Sequence, residues 1–208
     1  MSNNNNFSNQ KINNTFIPSI SDRYHDNITD TISYLFQSRE VFLFGAIDTE
    51  QARTICAQIF ALYSQNKETP ISLYINCPGG SIYDGLAIID AMNFTKIVDT
   101  YIIGSAMSMG FLIAIHGRNR YMSINSTMLI HQPLISGSRG RMQETDIRIE
   151  AQEMLFVRQL IEKMIIIQSK NNSIIADNIN KYTERDYFLR AEEAKSLGLI
   201  DRILFDNN

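Results

Sequence analysis

The chain has 208 residues, 44% of them hydrophobic and 20% charged, a mixture and length that suffice for one domain with a sizeable core and no disulfide or metal staple. A formal charge of −3 leaves no basic excess to neutralise a nucleic-acid backbone, so nucleic acid is not an expected partner. No apolar run reaches the roughly 18 residues of a spanning helix: the nearest, 101–115, is interrupted by Gly104, Ser105 and Ser108. The start, MSNNNNFSNQKINN, lacks the apolar core of a secretory signal. Cys56 and Cys77 make neither a disulfide framework nor a zinc site. A cytoplasmic protein with no membrane contact, metal or organic cofactor is expected.

Residues 1–16 hold seven asparagines and little to bury, so 1–26 is expected to be a disordered or flexible segment and 27–208 a single domain. Ile28, Ile32, Leu35 and Phe36 recur at helical spacing. The run EVFLF at 40–44 suits a buried strand ended by Gly45. Asp48 with Gln51 reads as a capping box opening a helix with Ala52, Ile55, Cys56, Ile59 and Leu62 on one face. A second strand, 71–75, runs into Asn76-Cys77-Pro78-Gly79-Gly80-Ser81, and a helix with Leu86, Ile89 and Met92 on one side follows. Residues 98–103 form a third strand, broken by Gly104-Ser105-Ala106, before an apolar helix through Met109, Phe111 and Leu112. Tyr121-Met122 and 127–130 are short strands, and 134–140 is a Gly/Ser loop. A long helix spans about 142–169. It is apolar on more than one side in its second half, which suits a core helix or one that projects into another subunit, with Leu160 and Met164 as contact candidates. A helix at 191–196 and a strand at 199–204 complete an α/β pattern with a mostly parallel sheet.

Among the histidines, His25 lies in a polar stretch and His116 ends an apolar helix, where a cation suits the negative helix end. His131 follows a strand, at a rim where α/β proteins place ligand-binding groups. Ser108 lies between a strand and an apolar helix. It is either a small packing residue or a nucleophile beside unpaired helix N–H groups. Gly79-Gly80 lets backbone N–H groups approach a ligand, or simply makes a tight turn, and it lacks the spacing of a phosphate loop. Asp186 stands in a charged turn. Ser108, His131 and Asp186 together have the chemistry of a nucleophile, a base and an orienting carboxylate. Spacing alone does not bring them together.

Four segments, LYINCPGGS at 73–81, GSAMSMG at 104–110, MLIHQPL at 128–134 and TERDYFLRAEEAKSLGLID at 183–201, resemble the ClpP family, the proteolytic subunits of the ATP-dependent Clp protease. The resemblance covers about 30–204. It implies a crotonase-like, ClpP-type α/β fold of repeated ββα units with a projecting handle helix. It also implies a homo-oligomer of two stacked heptameric rings enclosing a chamber. By motif position it makes Ser108 the nucleophile, His131 the general base and Asp186 its orienter, with the backbone N–H groups of Gly80 and Met109 as the oxyanion hole. Arg185 matches a position that links ring pairing to the active state. The implied partners are a hexameric Clp ATPase of the ClpX or ClpA type and the unfolded proteins it delivers.

The chain departs from the family pattern in four places. Cys77 replaces the usual Ser before Pro-Gly-Gly, and the stretch after His131, with SGSRGR inside it, is a few residues longer. The axial-loop sequence is not recognisable in 1–26. Ser72 and Ser123 fall where apolar residues usually line the ATPase docking pocket, although Tyr74, Phe94 and Tyr121 fit it. Two other readings compete: a weakly active or structural subunit of a mixed ring, and an acyl-CoA enzyme of crotonase type. The intact Ser, His and Asp set disfavours both, and the chain has no obvious basic cluster for CoA.

Overall fold

The structure is a computed structural model that describes residues 19–21, 28–134, 143–170 and 172–205. The expectation of disorder for 1–16, His25 and the SGSRGR stretch lie outside the described residues. The chain divides into two compact units, 1–38 and 39–208.

In the first unit β1 (Ser19–Ser21) pairs antiparallel with β2 (Ile28–Asp30), and α1 (Thr31–Gln37) follows. The helix starts three residues later than the apolar spacing suggests. Asp30 is its N-cap, accepting from the Ser33 N–H at 2.9 Å, and a cap residue is extended rather than helical.

The second unit opens with β3 (Glu40–Phe44), α2 (Thr49–Gln65), β4 (Ile71–Cys77) and α3 (Ile82–Thr95). Asp48 caps α2 by accepting from Gln51 N–H at 2.8 Å, but the Gln51 amide reaches the Phe44 carbonyl instead of closing the box. β5 (Val98–Met107), α4 (Met109–Ile115), β6 (Arg120–Ser123) and β7 (Thr127–Ile130) come next. The long helix is α5 (Glu144–Gln168). It is followed by α6 (Asn172–Asp177), α7 (Ile179–Thr183), β8 (Tyr187–Arg190), α8 (Ala191–Ser196) and β9 (Arg202–Leu204).

β3, β4, β5, β6 and β9 form a parallel sheet in that order. β7 branches from the far half of β5, parallel to it, and pairs antiparallel with β8. This branch depends on a bulge. Between Ile75↔Ile102 and Cys77↔Ala106, two steps on β4 match four on β5. The Gly104-Ser105-Ala106 signal therefore marks a bulge within β5 rather than its end. Gly104 takes φ +87°, and Asn76 Oδ1 accepts from the Ser105 N–H at 3.2 Å and hydroxyl at 3.1 Å. The bulge redirects β5 from β6 to β7, and so carries its end to Ser108.

One sheet face is fully buried by Val41, Leu43, Leu73, Ile75, Ile102 and Met122. Along the other runs a half-buried aromatic ladder at matched register: Phe42 on Tyr74, Tyr74 on Tyr101 and Tyr101 on Tyr121, with ring centroids 5.2, 5.1 and 4.6 Å apart. Phe94 is not part of it and packs edge-on against Phe60 and Tyr63.

α5 buries Val157, Ile161 and Ile165 on one face. Leu160 and Met164 are half-buried and line a cavity of about 350 Å³ with Leu86 and Ile89 of α3. The apolar side chains that α5 leaves exposed are Ile147, Ile149, Leu155, Phe156 and Ile167. Its C-terminal end is tied to the sheet by Arg120. That guanidinium donates to the Gln168 carbonyl at 2.7 Å and to the Asp201 carboxylate at 2.7 Å. Burial pushes the Asp201 carboxyl up, but Arg120 and Lys170 together outweigh burial and hold it at about 2. His116 is not the helix-end cation that its position suggests. Its Nδ1–H donates to Leu112 O at 2.7 Å, and burial pushes its pKa below the ordinary histidine value, so it caps α4 as a neutral ring.

Candidate active site

The site begins where β4 ends. Ile47 N–H donates to Gly79 O and Ser81 N–H donates to Ile47 O, both at 2.9 Å, which pins the Gly79-Gly80 turn against the segment before α2. Both glycines have positive φ, +103° and +150°, and both positions are closed to a side chain. A Cβ on Gly80 would lie 2.1 Å from Ile47 O, and one on Gly79 would lie 2.7 Å from the Ser108 Cβ. The turn is therefore a close approach of backbone to Ser108.

Ser108 sits between β5 and α4 at φ 54° and ψ −120°. A non-glycine residue held there stores roughly 1–3 kcal/mol of backbone strain. Its N–H donates to Leu129 O at 2.9 Å, locking the turn onto β7 two residues before His131. Its hydroxyl makes no capping bond to α4, so Oγ is not spent on the helix. Met109 is the first residue of α4, where an N–H has no intrahelical acceptor. Gly80, Ser108, Met109 and His131 all line one cavity of about 780 Å³. Its apolar wall includes Ile82, Phe111, Leu112, Ile130, Ile161 and Ile165.

Asp186 is placed differently. It is exposed and does not line that cavity. The β7–β8 ladder ends at Ile130↔Tyr187, so His131 and Asp186 each lie one residue past its last pair. Among the described residues no hydrogen bond joins Ser108, His131 and Asp186. Ser108 and His131 are brought into one cavity, and Asp186 is brought next to Tyr187, the partner of Ile130 at the ladder's end. Among the described residues no cluster of His, Cys, Asp or Glu is placed to hold a metal ion, and no helix is long and apolar enough to cross a membrane.

Several residues around the site carry no signal that spacing could reveal. Tyr83 lines the cavity, and its hydroxyl donates to Glu153 of α5 at 2.5 Å. Gln132 donates to the Glu184 carbonyl at 3.0 Å. Cys77 is fully buried beneath the turn: its Sγ accepts from Gly79 N–H at 3.3 Å, and a Cβ on Gly110 would lie 3.0 Å from that sulfur. Burial pushes the Cys77 thiol up, so it is a neutral packing group and not a second nucleophile. Excess iodoacetamide at pH 8 is accordingly expected to leave the folded protein's activity within about twofold of the untreated sample. Rapid inactivation with label on Cys77 would contradict this burial.

The family described as Clp protease matches this chain over residues 23–207. The chain belongs to the Clp protease family. It is 38% identical over 182 residues to the ATP-dependent Clp protease proteolytic subunit of Streptococcus gordonii, covering 86% of this chain and 91% of that one. The protein of the same name from Streptococcus suis is 40% identical over 178 residues, covering 84% and 89%. The one from Streptococcus pyogenes serotype M1 is 40% identical over 181 residues, covering 86% and 90%. As a member of this family the chain is a peptidase, and its mixed α/β architecture accords with the family's fold.

Proposed function

We propose that the chain is the proteolytic subunit of a Clp-type protease, a serine endopeptidase that cuts unfolded proteins into short peptides. One observation carries the reading: the strained turn holds Ser108, with no capping bond from Oγ to α4, in the same cavity as His131, Gly80 and Met109. In the proposed reaction His131 takes the Ser108 hydroxyl proton as Oγ bonds to the peptide carbonyl carbon. The N–H groups of Gly80 and Met109 donate to the oxyanion. The imidazolium then gives its proton to the departing amine as the C–N bond breaks, leaving an acyl-enzyme. Water, deprotonated by His131, attacks the ester, and the proton returns to Ser108 as the peptide acid leaves. Asp186 orients His131 throughout. The residues need no metal or organic cofactor for these steps.

The reading includes a homo-oligomer of two stacked heptameric rings in the cytoplasm, fed by a hexameric ATPase of ClpX or ClpA type. The sheet supports assembly, because parallel sheets are ordinarily covered on both faces and this one leaves its aromatic ladder half-exposed. Tyr74 and Tyr121 of that ladder are the proposed ATPase-facing residues. α5 supplies the ring contact through Leu155 and Phe156, which are 56% and 60% exposed. Aspartate at both positions would bury unpaired charge in that contact, at a cost of several kcal/mol. The expected product is a single ring or smaller with low activity. A double variant that sediments like the parent removes this face from the contact.

A second reading, a weakly active ring subunit, draws on the lack of a hydrogen bond among Ser108, His131 and Asp186. Catalytic hydrogen bonds are often long in free enzymes and tighten with substrate bound, so the peptidase reading stands first. Turnover of a fluorogenic peptide by the assembled protein supports it. An assembled ring with no turnover, alone or with an ATPase, favours the second.

A further inference from the structure

The β7–β8 ladder stops at Ile130↔Tyr187, and the two residues proposed to pair, His131 and Asp186, lie just past it. Beyond that point the strands no longer hold the chains together. Among the described residues a single hydrogen bond joins 131–134 to 184–186: Gln132 Nε2 donates to the Glu184 carbonyl at 3.0 Å. The other side of the Asp186 segment is anchored to α5. Thr183 donates to Glu162 at 3.1 Å, and Arg158 donates to Glu162 at 2.8 Å and to Glu184 at 3.4 Å. These bonds fix the segment to α5, and beyond the last ladder pair its described hydrogen bond to 131–134 is the one from Gln132. Asp186 itself is exposed, and among the described residues it has no hydrogen bond to His131.

We propose that Gln132 is a positioning residue for the reaction, holding the Glu184-Arg185-Asp186 segment against His131 so that the Asp186 carboxylate can meet the imidazole. The proposal rests on the reading of Ser108, His131 and Asp186 as a catalytic unit. Gln132 also lines the cavity, so the rival role is direct contact with substrate. The two roles differ in coupling. A residue that acts through Asp186 loses its effect when Asp186 can no longer do its work, and a residue that touches substrate does not.

The test is a double-mutant cycle in the full-length assembled protein with Gln132→Glu, which keeps the shape but replaces the donor with an acceptor. Gln132→Met is the second variant, removing the donor without adding charge. Sizing and thermal unfolding identify which variants are folded and assembled. Turnover of a fluorogenic peptide and the rate of acylation by a fluorophosphonate are the readouts. In the parent background each variant is expected to lower kcat by about tenfold to a hundredfold, as a misplaced group does, with KM within about twofold. In the Asp186→Asn background the same changes are expected to alter the acylation rate by less than about twofold. Parental kcat in both variants, a change confined to KM, or an equal loss in the Asp186→Asn background overturns the proposal. Where Asp186→Asn is slow and Gln132→Glu is not, the positioning role alone fails. Parental turnover of Asp186→Asn by itself removes the catalytic unit and this proposal with it.

Discussion

Replacing Ser108 with alanine is expected to lower peptide hydrolysis by about three or more orders of magnitude and to leave the fold untouched. Both halves follow from the turn. Ser108 Oγ makes no capping bond to α4, so its removal leaves no buried group unsatisfied, and alanine tolerates φ 54° no worse than serine. Stability should stay within about 0.5 kcal/mol. His131→Ala should lose as much activity, and the double variant little more, because members of a catalytic unit do not contribute additively. Denaturation midpoints and fluorogenic peptide rates on sized samples check this. A Ser108→Ala protein with near-parental rates would show that another residue is the nucleophile.

Asp186→Asn is expected to reduce kcat by about three to four orders of magnitude while changing KM far less. An asparagine keeps the size but loses the charge that stabilises the imidazolium. It can also donate where the aspartate only accepts, which favours the wrong imidazole tautomer. Substrate has no reason to sense the change directly, because Asp186 lies outside the cavity lining. The family resemblance implies a ring-pairing role for its neighbour Arg185, so the variant is sized before it is assayed. An assembled Asp186→Asn protein with parental turnover would leave the third member of the unit unassigned.

The sequence was most informative where one local signal decided the structure. Asp48 starts α2, the apolar EVFLF run gives β3, and the apolar faces of the long helical segment yield α5, which buries Val157 and Ile161 while exposing Leu155 and Phe156. Signals that depend on distant partners misled. Gly104-Ser105 has the composition of a strand end, but the carboxamide of Asn76 and the pairing of Ser105 with Thr127 turn it into a bulge. The YFLR strand at 187–190 is too short to announce itself and exists because β7 pairs with it. The α6 and α7 helices are polar and short, with Ile175 and Tyr182 as buried anchors.

The site divides in the same way. Ser108, Gly79-Gly80 and His131 stand out by residue type at strand ends, and the chain brings Ser108, Gly80 and His131 together in one cavity. Asp186 is legible only through the resemblance, since a charged turn carries no signal of what it faces. Gln132 bonds a backbone carbonyl beyond β7, and Tyr83 of α3 bonds Glu153 of α5, and no spacing rule encodes such partners.

Covalent labelling reads out directly whether Ser108 is the nucleophile of a serine peptidase. The assembled protein is treated with a fluorophosphonate, digested and mapped by mass spectrometry, with His131→Ala as a parallel sample. One adduct is expected, on Ser108, formed in step with loss of peptide hydrolysis and strongly slowed in the His131 variant. An adduct on another serine, or full inhibition with Ser108 unmodified, would contradict it.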